Sequence, residues 1–367
     1  MGGAELCLLD IAKHFKSCCK VLLLSDGPFH QMLQEYDINS EVVLSTPLSV
    51  RKDGGLLQGL AALSRALPGI PAIAAQAKDY DLIYANTPKA LMVGTLASIL
   101  SNRPLVYHLH DIISADHFSA VNRRILVALA NRAVLVIANS KASKTAYIQA
   151  GGKPQRIEIV YNGFDRTLYE VSLASRQAVR QSIQLDDSFV VGHFSRLAPW
   201  KGQHILIKAL SQCPETVTVL LVGDALFGEA DYVASLHQQV KDLGLQNRVQ
   251  FLGFRRDVPQ LMASCDLVTH TSTAPEPFGR VIVEAMLSGT PVIAAAAGGA
   301  LELVEPNCTG WLCPPNDASA LAKQICSVLA HPELTQTITQ TAHQRASACF
   351  DVQHINQQVS CLLEQVL

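Results

Sequence analysis

Apolar and polar positions along this chain alternate between two rhythms. Short runs rich in β-branched and aliphatic residues, at Lys20 to Leu24, Asp81 to Ala85, Leu105 to His108, Val134 to Ala138 and Ile157 to Tyr161, predict strands. Between them apolar residues recur every three or four positions and predict helices at Ala4 to Phe15, Leu56 to Leu67, Lys89 to Leu100, Asn122 to Asn131 and Ser140 to Ala150. Such strand and helix alternation implies a parallel sheet covered on both faces. Thr167 to Ser188 carries no strand signal, after which Phe189 to Phe194 opens a second series. Strands follow at Val217 to Val222, Val249 to Leu252, Leu267 to His270 and Pro291 to Ala294. Helices are expected near Gln203 to Leu210, Ala230 to Leu243, Val258 to Ala263, Arg280 to Leu287 and Ala318 to Leu329, and three helical segments end the chain.

The pattern therefore predicts an α/β fold of two Rossmann-like, doubly wound domains. The first spans 1–168, a linker 169–188 follows, the second spans 189–348, and a last helix within 349–367 packs back across the linker. One oddity stands at the start: Gly2-Gly3 looks like the turn after a strand, yet only Met1 precedes it. A doubly wound sheet places its first strand centrally, so a strand is expected upstream or lost.

Composition narrows the function. The 367 residues divide into about two domains, and 49% apolar with 16% charged residues excludes disorder. With 29 basic against 31 acidic residues there is no general field to hold nucleic acid, and none is expected as a partner. An anionic ligand must instead meet a local set of donors. Through Thr167 the balance is 17 basic to 13 acidic, afterwards 12 to 18, a weak hint that the first domain touches an anionic membrane surface or a pyrophosphate-bearing acceptor. The longest apolar runs, such as Val134 to Ala138 and Pro291 to Ala297, fall well short of the roughly 20 residues of a membrane span. No secretory signal is visible, so a cytoplasmic protein, at most peripheral at the membrane, is expected. The ten cysteines are scattered without a Cys-x-x-Cys pair, and Cys308 and Cys313 lack partners at zinc-site spacing, so reduced thiols and no metal are expected.

The chemistry concentrates in the second domain. In Glu276-Pro277-Phe278-Gly279-Arg280-Val281-Ile282-Val283-Glu284 a turn precedes a buried helix that carries one carboxylate, Glu284, which needs donors. A structural ion pair is the bland reading and a ligand's hydroxyls the sharper one; Glu276 offers a second acceptor. The free N–H groups at the helix start suit a phosphate. Upstream, Arg196-Leu197-Ala198-Pro199-Trp200-Lys201-Gly202 follows a strand, and Lys201 is read as beginning a helix. There the macrodipole disfavours a cation unless an anion is near. A surface lysine is nearly as good a reading, but Arg196 at the carboxyl edge of the sheet tilts the balance towards a diphosphate.

Glu276 and Glu284, eight positions apart, with Arg196 and Lys201-Gly202 upstream, resemble the family 4 retaining glycosyltransferases of the GT-B fold. The resemblance extends over nearly the whole chain, through Gly2-Gly3-Ala4-Glu5, His108-Leu109-His110-Asp111, Asn139-Ser140, Asn162-Gly163-Phe164-Asp165, Val222-Gly223-Asp224, Phe251-Leu252-Gly253 and Thr309-Gly310-Trp311-Leu312. It implies two domains facing a cleft. Arg196 and Lys201 would neutralise the diphosphate of a nucleotide sugar, Glu284 would take both ribose hydroxyls and Glu276 the hydroxyls of the transferred sugar. Gly279, Arg280 and Val281 would meet the distal phosphate, and Gly2 and Gly3 would approach it from the first domain. His110 would lie beside sugar and acceptor, with Phe254 and Arg255 as the base pocket. Arg280 replaces the aliphatic residue of some relatives. The implied reaction is metal-independent, retaining transfer of a hexose, glucose from UDP-glucose first, to a glycan or lipid-linked acceptor in polysaccharide biosynthesis.

Other readings follow from weaker features. Asp79-Tyr80-Asp81 spells a manganese-binding Asp-x-Asp, but it precedes a strand within a serial α/β pattern, where two solvated acids are ordinary. A dehydrogenase would need a Gly-x-Gly-x-x-Gly after a strand, which does not occur. A silent nucleotide-sugar binder would bind without transfer, and an epimerase would interconvert donors without an acceptor. His193, His204 and His270 read as packed or surface histidines.

Overall fold

The computed structural model describes residues 2–43, 67–185, 188–225 and 228–367. The helix expected at Leu56 to Leu67 lies outside these, apart from Leu67, which opens a short 3-10 turn. The described residues form two compact units, one running to Gly163 and including Val352–Leu367, the other Phe164–Asp351.

In the first unit the order is α1 (Gly3–His14), β1 (Val21–Leu23), α2 (Pro28–Glu35), β2 (Ser40–Val42), α3 (Ile70–Ala77), β3 (Ile83–Ala85), α4 (Pro88–Ser101), β4 (Leu105–Leu109), α5 (Ala120–Ala130), β5 (Leu135–Ala138), α6 (Lys141–Gln149) and β6 (Ile157–Ile159). β1 pairs with β2, and β3-β4-β5-β6 make a second sheet; every pairing is parallel. The strands are short and β4 and β5 are buried at every residue, as expected where helices cover both faces. Helix starts are set by hydroxyl caps: Thr87 Oγ1 accepts from Ala90 N at 3.1 Å before α4, and Ser140 Oγ from Ser143 N at 2.9 Å before α6.

The second unit runs α7 (Leu173–Ser182), β7 (Phe189–Phe194), α8 (Gln203–Leu210), β8 (Val217–Val222), α9 (Ala230–Asp242), β9 (Val249–Gly253), α10 (Val258–Ser264), β10 (Leu267–His270), α11 (Arg280–Leu287), β11 (Val292–Ala295), α12 (Ala300–Leu303), β12 (Trp311–Cys313), α13 (Ala318–Ala330) and α14 (Pro332–Cys349). Its six parallel strands lie in the order β12-β11-β10-β7-β8-β9. Strand order reverses between β7 and β10, and the carboxyl edge at such a switch point is where open α/β sheets hold ligands.

The stretch expected as a linker is structured. Within it α7 is fixed to the second unit: Arg180 donates to Ser264 O at 2.9 Å, to Asp266 Oδ2 at 3.1 Å and to Ser188 O at 2.7 Å, and Arg176 Nε donates to Ala263 O. The last helix, α15 (Val352–Glu364), belongs to the first unit, where Asn356 Nδ2 donates to Asp10 O at 3.2 Å. Its Ile355, Val359 and Leu363 complete a buried cluster with Val106, Leu135 and Ile137 of β4 and β5. No helix among the described residues is long and apolar enough to cross a membrane.

Candidate functional site

The loops leaving β7 and β10 are packed against each other at the switch point. Gly202 has φ +74°, and a Cβ there would stand 2.0 Å from Thr271 O, so only glycine lets the two loops close. Thr271 Oγ1 donates across the contact to Lys201 O at 2.9 Å. Lys201 lies in a 3-10 turn, Pro199–Lys201, and α8 begins beyond it with Gly202 as its cap. The expectation that Lys201 opens a helix is thereby corrected: the anion it meets is a side chain, and the macrodipole has no part in placing it. Its Nζ stands 2.8 Å from Glu276 Oε2 and 4.0 Å from the Trp200 ring centroid.

Glu276 is 8% exposed and three donors converge on its Oε2: Lys201 Nζ, Ser272 Oγ at 2.8 Å and His270 Nε2 at 3.2 Å. Burial alone would raise this carboxyl, but the Lys201 charge and the His270 hydrogen bond prevail and hold it well below the usual carboxylate range. Its backbone is locked as well. Gly299 N donates to Glu276 O at 2.7 Å, and a Cβ on Gly298 would lie 2.3 Å from that oxygen. His193 lies beneath, its Nε2 2.9 Å from Thr271 Oγ1; burial, with the nearby His270, pushes it down to about 3, so it is neutral. A crevice beside this pair is lined by Ser195, Lys201, His270, Ser272 and Val281.

At the start of α11, Gly279 (φ +99°) turns the chain into the helix. Arg280 Nε lies 3.3 Å from Glu284 Oε1, and the Arg280 guanidinium lies over the Phe164 ring at 4.3 Å. Glu284 thus has one donor from its own helix. Arg196 Nε is 3.4 Å from Glu229 Oε2. Phe254 is exposed at 58%, while Arg255 forks onto Asp257 at 2.8 and 2.6 Å.

In the first unit, Gly2 caps α1 and its N donates to Glu5 Oε2 at 2.7 Å. Asn86 links this turn to His110: its Nδ2 donates to Ala4 O at 2.8 Å and its Oδ1 lies 2.8 Å from His110 Nε2. The structure therefore brings Lys201 and Glu276 together, pairs Arg280 with Glu284, and joins the Gly2-Gly3 turn to His110. Sequence reasoning did not find Asn86, Ser272 or Gly298, and it set His270 aside as a packed or surface histidine. The usable signal was position, since Asn86, His270 and Ser272 all stand at or just past strand ends.

The family model for Glycosyltransferase Family 4 matches residues 1–168, and that for Glycosyl transferases group 1 matches residues 175–345. The crystal structure of Anabaena HepE in complex with UDP-glucose is 55% identical, with TM-score 0.93 over 100% of this chain and 96% of that one. A D-inositol 3-phosphate glycosyltransferase from Mycobacterium sp. (strain KMS) is 29% identical over 72% of this chain, a match that spans 62% of its own length. The N-acetyl-alpha-D-glucosaminyl L-malate synthase of Bacillus anthracis is 26% identical over 82% of this chain and 79% of its own length.

Proposed function

The chain belongs to the group 1 glycosyltransferases, with the GT-B fold, and on that premise we propose that it transfers glucose from UDP-glucose, with retention at the anomeric carbon, to a glycan or lipid-linked saccharide. The observation that carries this reading is the buried Lys201–Glu276 pair at the switch point, in a chain 55% identical to a protein crystallised with UDP-glucose.

Departure of UDP builds negative charge on the diphosphate. Donors fixed before the reaction can stabilise it without reorganising, an effect commonly worth several powers of ten in rate. Lys201 is such a donor. Arg196 and the first N–H groups of α11, at Arg280 and Val281 behind the Gly279 turn, supply the rest. These fixed positive groups take the part of a divalent cation, so transfer proceeds in a chelator. Glu276 Oε2 is occupied by three donors of the chain itself, which leaves Oε1 for the sugar hydroxyls; the carboxylate positions the sugar and does not attack it. Glu284 takes the ribose hydroxyls, Phe254 and Arg255 border the base, and His110 of the first unit serves the acceptor.

Incubation with a panel of nucleotide sugars, followed by proton NMR, tests the proposal. Slow release of α-glucose from UDP-glucose, unaffected by EDTA and abolished in Lys201→Ala and Glu276→Ala, is the expected outcome. Release of another sugar, or β-glucose as first product, sinks the donor or the stereochemistry.

A further inference from the structure

A thiol and two imidazoles meet in the first unit. His108 and His110 stand two residues apart at the end of β4, so strand alternation turns both rings to one side, with centroids 4.0 Å apart. Cys7, buried on α1, completes the group: its Sγ and one ring nitrogen of each histidine lie within 4.8 Å of one another. His108 is 2% exposed; Tyr84 OH holds its Nδ1 at 2.7 Å, and its Nε2 has no hydrogen-bond partner. His110 Nε2 is held by Asn86, whose amide also binds Ala4 O, one turn before Cys7.

The geometry points to a site for a thiophilic divalent transition metal, Zn²⁺ foremost, held by Cys7, His108 and His110. One thiolate with two imidazoles is a donor set that zinc favours, and three protein ligands leave the fourth tetrahedral position to water. Tetrahedral bonds of roughly 2.0–2.3 Å put ligand atoms about 3.3–3.8 Å apart, so side-chain shifts of under about 1 Å close the site. Tyr84 and Asn86 orient the two rings from behind, as outer partners do at zinc centres. On binding, the Cys7 thiol releases its proton to solvent and the sulfur bonds to the metal, so affinity falls on acidification. The site needs no nucleotide sugar, and it shares His110 with the acceptor role proposed above, so metal and acceptor compete for one imidazole.

The test uses the full chain, reduced and stripped of metal, titrated with Co²⁺ as a spectroscopic probe. One equivalent is expected to give a thiolate-to-cobalt charge-transfer band and the intense visible bands of a tetrahedral ion, and Zn²⁺ should bleach both. Cys7→Ser should lose the charge-transfer band, whereas Cys18→Ser and Cys19→Ser should keep it. Because Cys7 is buried, the milder Tyr84→Phe gives a second arm: it keeps all three ligands and should weaken Zn²⁺ binding about tenfold. No band at one equivalent, a band that survives Cys7→Ser, or Zn²⁺ affinity unchanged in Tyr84→Phe would overturn the assignment.

Discussion

Lys201 and Glu276, 75 positions apart in the chain, meet at 2.8 Å because the glycine between Lys201 and α8 allows the β7 and β10 loops to touch. Each side chain keeps less than a fifth of its surface. Removing one member of a buried pair leaves an uncompensated charge and costs about 3–5 kcal/mol, whereas removing both is far milder. Lys201→Met alone should therefore lower stability by about 3 kcal/mol, and Lys201→Met with Glu276→Gln should recover most of it while remaining inactive. Urea unfolding of the two variants decides the matter; equal losses in both would refute a coupled pair.

Acid stability should report on His193. Its folded-state value of about 3 lies below the ordinary 6.5 of an exposed histidine. Between those values the unfolded chain binds a proton at this position and the folded chain does not. Stability is therefore complete above about pH 6.5 and declines as pH falls, by up to about 1.4 kcal/mol per unit. His193→Asn should flatten that decline between about pH 6.5 and 5. Glu276, depressed from the carboxylate range, contributes stability that fades only below about pH 4.3, so Glu276→Gln should alter a separate, more acidic window. An unchanged slope in His193→Asn would show that other groups govern the acid limb.

Two glycines of equal backbone conformation separate strain from contact. Gly289 (φ +66°) has open space where a Cβ would go, while a Cβ on Gly298 (φ +61°) would lie 2.3 Å from Glu276 O and 2.6 Å from Glu276 N. Gly289→Ala should cost about 1 kcal/mol and leave transfer intact. Gly298→Ala should cost roughly 3 kcal/mol and, by displacing Glu276, slow transfer as well. Thermal melts beside NMR rates provide the comparison.

Ribose recognition by Glu284 is separable from phosphate binding. If its carboxylate takes the two hydroxyls, UDP should bind about 10- to 100-fold tighter than its 2′,3′-dideoxy analogue, the range of charge-assisted hydrogen bonds. Glu284→Ala should erase that ratio. Calorimetry with both nucleotides tests it, and a ratio that persists in the variant would move the ribose elsewhere.

Much of this was legible in the chain. α11 coincides residue for residue with the helix expected at Arg280 to Leu287, and β7, β8 and β10 match their predicted spans. Buried central strands write long apolar runs, and Gly279 marks an abrupt helix start. β2 and β12 have only three residues each, too few for a period to show, and pairing along a neighbour is what makes them strands. α7 carries a weak apolar face and is held by Arg176 and Arg180 reaching backbone carbonyls about 85 positions away, a relation no local pattern encodes. At the site, Glu276, Glu284 and Lys201 were visible from residue type and spacing. That Lys201 grips Glu276 was not, because it depends on a loop contact set by Gly202 and Thr271.

Ile355, Val359 and Leu363 seal one face of β4 and β5, yet they leave the ribosome after the whole of the second unit has emerged. Synthesis order and completion order thus diverge: the half that is made first must wait, with Val106, Leu135 and Ile137 uncovered, for Val352–Glu364. During that interval it is the half more prone to aggregate, and a truncation ahead of Ile355 would harm it rather than the second unit that directly precedes the cut.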